Sequence, residues 1–149
     1  IQGKKDPLVA VEVPPAAADG ESSAAVAELS REAVAWEFDQ GTSDSPTPVV
    51  SGQWLFMVTN DGILRCFDTQ SGEVLFKERV KGEYRASPLA AEGRIYLVNT
   101  AGLTTVIAAS DKFERLAENQ LDDEVFASPA VSDGRIYVRG KRFLYAIGR

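Results

Sequence analysis

Three clusters in this chain carry side chains that could do chemistry. In "LRCFDTQSGEVLF", residues 64–76, Cys66 offers a thiol nucleophile and Asp68 a general acid or base, with the Ser71 hydroxyl three residues on. Asp122-Asp123-Glu124 is the densest run of carboxylates and could hold a hard cation, which takes several oxygen ligands. Arg139, Lys141 and Arg142 form a local basic patch. The chain has no His, so the commonest general base and the commonest transition-metal ligand are both missing, and nothing is on hand to activate Cys66. A single cysteine forms no internal disulfide. Cys66 is therefore read as a small, buried, unreactive core residue. The acidic run lacks the alternating spacing of a metal loop and is read as a solvated loop, and the basic patch as balance for an acidic surface.

The wider composition excludes two partner classes. The net charge is -6 with a pI near 4.7, and the 16 Lys and Arg residues are scattered, so no basic stripe is available to a nucleic-acid backbone. With 44% apolar residues the chain is of ordinary globular type, and no stretch approaches the roughly 20 apolar residues of a membrane helix. The chain starts at Ile1 with no signal-like segment, which reads as a processed or truncated product and leaves export open.

The elements that position these residues come from a repeat. "SPTPVVSGQWLFMVTNDGILRCFD" from Ser45, "ASPLAAEGRIYLVNTAGLTTVIAA" from Ala86 and "ASPAVSDGRIYVRGKRFLYAIG" from Ala127 align. Pro48, Pro88 and Pro129 recur every 40 or 41 residues, Gly52, Gly93 and Gly134 every 41, and Trp36, Phe76 and Ala117 each stand 12 residues before one of the prolines. Within a unit the apolar and β-branched residues alternate with period two, which specifies short strands. Asn60-Asp61-Gly62 is expected to be a tight two-residue hairpin turn, because these residues tolerate positive φ, with Ala101-Gly102 and Gly140-Lys141 at the equivalent places. About 40 residues per four antiparallel strands is the size of a β-propeller blade, whose apolar faces need neighbouring blades to cover them.

The turn motif carries a family resemblance. The blade signature of the quinoprotein-type (pyrroloquinoline quinone-like) propeller repeat is Ala-x-Asp-x-x-Thr-Gly-x-x-x-Trp, and "CFDTQSGEVLF" resembles it, with Cys66 at the Ala position, Asp68 at the Asp, Ser71 at the Thr, Gly72 at the Gly and Phe76 at the Trp. "AASDKFERLA" from Ala108 keeps the strands and loses the turn, Ala146 matches Cys66, and Trp36 keeps the aromatic alone. The resemblance covers roughly residues 36–149, plus "PLVAVEV". It implies an all-β fold of propeller blades with four antiparallel strands each, in an incomplete ring of about three blades. Residues 1–44 would form a partial blade, its third and fourth strands separated by an Ala/Pro-rich insertion at 14–34. Complete blades would follow at 45–85 and 86–126, with a partial blade of three strands at 127–149. Thirteen strands do not close a ring even when doubled, so this reads as the C-terminal half of a six- to eight-bladed propeller whose last outer strand comes from the N-terminal part of the parent. Asp68, Ser71, Gly72 and Phe76 are expected to be structural, the first three tying a turn and Phe76 packing between blades. The insertion is read as an elongated loop, with a short helix presenting Val26, Leu29 and Ala33 as the alternative.

Quinone dehydrogenases of the family hold their cofactor over a Trp platform with adjacent cysteines and calcium ligands. This chain has no Cys-Cys pair, and neither Trp36 nor Trp54 lies in such a motif, so no catalytic, cofactor or metal residue is assigned. Tyr84, Arg85 and Phe126, which precede the Ser-Pro anchors, are the expected partner-binding residues, because those loops surround the mouth of a propeller channel. The expectation is a non-catalytic scaffold or interaction module, extracytoplasmic by family analogy. Its partners would be the remaining blades or another protein. The alternative is a fragment of a quinone- or metal-dependent oxidoreductase whose active site lies elsewhere in the parent.

Overall fold

The computed structural model describes residues 7–12 and 31–148. These residues form thirteen strands in four antiparallel sheets. β1 (Leu8–Val11) pairs with β2 (Val34–Phe38), which follows a short 3-10 turn at Arg31–Ala33. The second sheet runs β3 (Val49–Ser51), β4 (Trp54–Val58), β5 (Ile63–Asp68), β6 (Val74–Arg79) as a simple meander. The third repeats it with β7 (Leu89–Ala91), β8 (Arg94–Val98), β9 (Leu103–Ala108) and β10 (Arg115–Gln120). The fourth holds β11 (Ala130–Ser132), β12 (Arg135–Arg139) and β13 (Leu144–Gly148). The insertion residues Val26 and Leu29 lie outside the described residues. No described helix is long and apolar enough to cross a membrane.

Because side chains alternate across a strand, each middle strand offers one face to the sheet before it and one to the sheet after. Phe56, Val58, Leu64 and Cys66 of the second sheet, with Val80 and Tyr84 from its outgoing loop, bury against Ile95, Leu97 and Ile107 of the third. At about 1.5–3 kcal/mol per fully buried large side chain, this seam dominates the core. The next seam is smaller: Val98 and Val125 meet Val138, with Leu121, Ile136 and Tyr145 around them. A cleft of about 170 Å³ remains there between Tyr96, Val98, Ile136 and Ile147. The difference follows from sequence, since β10 carries Ala117 and Asn119 opposite Val106 and Thr104, where β6 carries Phe76 and Glu78 opposite Cys66 and Leu64. The architecture is that of β-propeller blades packed face to face.

The turns correct the expectation from sequence. Thr59–Gly62 is a four-residue connection, in which the Thr59 N–H donates to Ile63 O (2.9 Å) and the Gly62 N–H to Thr59 O (2.9 Å), and of these residues Gly62 alone has positive φ, +83°. The tight two-residue turns lie one hairpin earlier. Glu92-Gly93 (φ 50° and 69°) joins β7 to β8, and Asp133-Gly134 (49° and 69°) joins β11 to β12, with both central residues left-handed as a type I′ turn demands.

Candidate functional site

The turn after β5 consumes the carboxylate that looked catalytic. Asp68 Oδ1 accepts the N–H of Gln70 (2.9 Å), the N–H of Ser71 (2.8 Å) and the Ser71 hydroxyl (3.0 Å). The backbone N–H of Ser71, then its hydroxyl, hold the Asp68 pKa below its ordinary value. The Trp36 indole N–H donates to Thr69 O at 2.9 Å, and its ring stacks on Phe67 at 6.2 Å and 10°. Where the third sheet has lost this turn, Phe76 packs edge-on against Phe113 (5.8 Å, 68°), which occupies the region a glycine turn would leave open. Cys66 is fully buried, and burial pushes its thiol up to about 12, so it is no nucleophile.

At the opposite edge of the sheets, the loops leading from each outer strand to the next inner strand interleave with the hairpins between middle strands. The Tyr84 N–H donates to Asn60 O (2.9 Å) and the Thr100 N–H to Glu83 O (2.8 Å); one repeat on, Val125 donates to Thr100 O (3.1 Å) and Lys141 to Glu124 O (2.8 Å). These bonds extend strand-like alternation through both loops. Glu83 and Arg85 point out while Tyr84 and Ala86 are buried, and Phe126 stands out while Val125 is buried. Tyr84 therefore differs from its expected role: its side chain is fully enclosed and its hydroxyl donates to Lys81 O at 3.1 Å, so it supports the loop from beneath. Arg85 is exposed and forms no ion pair among the described residues, and Phe126 is 54% exposed. Both line one groove of about 380 Å³ with Glu83, Thr100, Ala101 and Glu124. Just inside, hydroxyls staple successive repeats: Ser87 Oγ accepts the N–H of Thr47 and Ser128 Oγ that of Ser87, each at 2.9 Å.

The acidic run and the basic patch meet at the seam between the third and fourth sheets. Asp122 faces solvent and pairs with Arg142 at 3.3 Å, and Glu124 pairs with Lys141 at 3.0 Å. Asp123 overturns the reading of a wholly solvated run, since its side chain is only 2% exposed. Its carboxylate accepts the N–H groups of Arg142 (3.0 Å), Phe143 (3.2 Å) and Glu124 (2.9 Å) and the Tyr145 hydroxyl (3.2 Å). Burial works to raise the Asp123 pKa, but these donors together outweigh it and hold the group below its ordinary value. Among the described residues no group of three or more His, Cys, Asp or Glu could hold a metal ion.

The preceding seam solves the same problem with residues exchanged. There the hairpin residue Asn99 accepts the N–H groups of Ala101 (3.0 Å) and Leu103 (2.9 Å) on Oδ1 and donates from Nδ2 to Lys81 O (2.9 Å), passing over Gly82. Gly82 and Asp123 occupy the same loop position, six residues before the repeat proline, and Asn99 and Gly140 the same hairpin position 41 apart. A loop glycine with a hairpin amide has become a loop carboxylate with a hairpin glycine. Sequence reasoning missed this pair, although an Asp aligned with one Gly and a Gly aligned with one Asn was its visible signal.

Sheet order, seam packing and the Asp-x-x-Ser-Gly turn define a propeller of quinoprotein-like repeats. Residues 22–117 match the family described as outer membrane protein assembly factor BamB, and the chain belongs to that family. BamB from Moraxella catarrhalis is similar in structure, with a TM-score of 0.65 at 20% identity over 78% of this chain and 38% of that one. Quinohemoprotein alcohol dehydrogenases from Pseudomonas putida HK5 (TM-score 0.58, 14% identity, 74% of this chain) and Comamonas testosteroni (0.56, 14%, 72%) share the fold, and the chain covers 20% of each. It thus spans well under half the length of these solved structures. No curated protein sequence matches it.

Proposed function

We propose that the chain is a non-catalytic protein-interaction module of an extracytoplasmic propeller that assists outer-membrane protein assembly, engaging its partner through Arg85 and Phe126. The observation that carries this reading is the groove in which an exposed guanidinium and a half-exposed aromatic ring stand together on adjacent repeats. An Arg and a large aromatic are the side chains that most often dominate binding energy at protein interfaces. Membership of the BamB family supports the same reading. The two complete sheets act as complete blades at 45–85 and 86–126, the sheets at 1–44 and 127–149 as parts of blades, and further blades of the parent complete the ring. Asp68, Ser71, Gly72 and Phe76 serve packing and turn formation. The dehydrogenase alternative finds no support in these residues, whose one thiol is buried and whose best-placed carboxylates are tied to backbone N–H groups.

The test is binding of the full-length protein to purified components of the outer-membrane protein assembly apparatus from the same cells. Arg85→Glu and Phe126→Ala should each weaken binding at least tenfold, and Leu116→Ala on the outer rim should leave it unchanged. Equal binding by all three variants, or a rise in melting temperature on adding pyrroloquinoline quinone with calcium, would overturn the reading.

A further inference from the structure

We propose that the Gly82 with Asn99 and Asp123 with Gly140 pairs are register keys, each letting one seam accept its own neighbouring sheet and reject the other. Sheets of a repeat protein resemble one another, so a face can dock on the wrong copy, within a chain or between chains. Here the two wrong dockings are penalised differently. If the Asn99 hairpin met the Asp123 loop, two side chains would claim one space. That space is full in both seams: a Cβ on Gly82 would lie 3.0 Å from Asn99 Cγ, and one on Gly140 would lie 2.7 Å from Asp123 Cγ. If the Gly140 hairpin met the Gly82 loop, neither partner would supply a side-chain acceptor for the hairpin N–H groups or a donor for the loop carbonyl. The N–H groups of Arg142 and Phe143 and the carbonyl of Lys81 would lose the bonds they have now. Only the two native combinations fill the space once and satisfy the hairpin, which is specificity obtained by disfavouring alternatives. The smaller apolar contact at the Asp123 seam leaves more of its selectivity to this pair.

Single substitutions recreate each mismatch within the native seam. Gly140→Asn presents the wrong hairpin to Asp123, Asp123→Gly presents the wrong loop to Gly140, and the double variant installs the other seam's pair. In thermal unfolding of the full chain, each single variant should lose roughly 5 °C, and the double variant should recover at least half of the summed loss. The double variant then carries identical keys at both seams. After refolding from denaturant at rising protein concentration, the share recovered in the wild-type assembly state should fall at least twofold. Additive losses in the double variant, or wild-type recovery from the uniform-key chain, overturns the proposal.

Discussion

Trp36 lies against Gly72 of the next sheet so closely that a Cβ on Gly72 would come within 2.6 Å of Trp36 Cδ2. Gly72 also has φ +73°, which a side chain resists. Gly72→Ala should therefore cost about 3 kcal/mol, combining the left-handed backbone with overpacking. Urea unfolding followed by Trp fluorescence measures it, and adding Trp36→Ala should return the steric part. A loss below about 1 kcal/mol would mean the indole moves aside freely.

Stability should fall steeply in acid. The folded pKa values of Asp68 and Asp123 are depressed, so their contribution is fully present above the unfolded value of about 3.9 and is lost as pH drops through the lower folded values. Unfolding midpoints between pH 7 and 2 should decline most below about pH 4. Asp68→Asn should flatten that decline, and an unchanged slope would remove Asp68 from the account.

Cys66 should be inert in the native state. With its thiol raised to about 12 and its Sγ 3.7 Å from Ser110 O, alkylation at pH 8 should be at least about a hundredfold slower than in denaturant. Comparable rates would place the thiol in contact with water.

Phe76 and Phe113 should behave as one fitted pair. Phe76→Trp, although it restores the aromatic of the repeat motif, should cost about 1–3 kcal/mol because Phe113 already fills the facing region. Phe113→Ala in the same chain should recover part of that loss. Additivity of the two substitutions would show that the rings are not coupled.

The strands were legible because alternation and the 40-residue spacing are properties of every repeat at once. The turns were less so. Asn60-Asp61-Gly62 has the composition of a tight hairpin, yet Thr59 closes a wider turn and Gly62 alone is left-handed, whereas Gly93 and Gly134, which with Glu92 and Asp133 make the tight turns, entered only as markers of the repeat spacing. Arg85 and Phe126 stand exposed on successive loops, but Tyr84 was grouped with them because loop residues carry no period of their own. The bond from Tyr84 N–H to Asn60 O imposes one, and aligning Tyr84 with Val125 rather than with Phe126 would have shown it. The burial of Asp123 left its trace only in the exchange of Gly82 and Asn99 for Asp123 and Gly140, because it arises from a hairpin on another sheet.

The hydroxyl staples from Thr47 to Ser87 and from Ser87 to Ser128 span 40 and 41 residues of chain. A staple of fixed reach turns the repeat into a unit of length. One residue added between two staples has to be absorbed before the second closes, and Asp111 and Lys112, exposed on the far rim, mark where it fits without displacing Phe113. Insertions there leave the inner strands in phase.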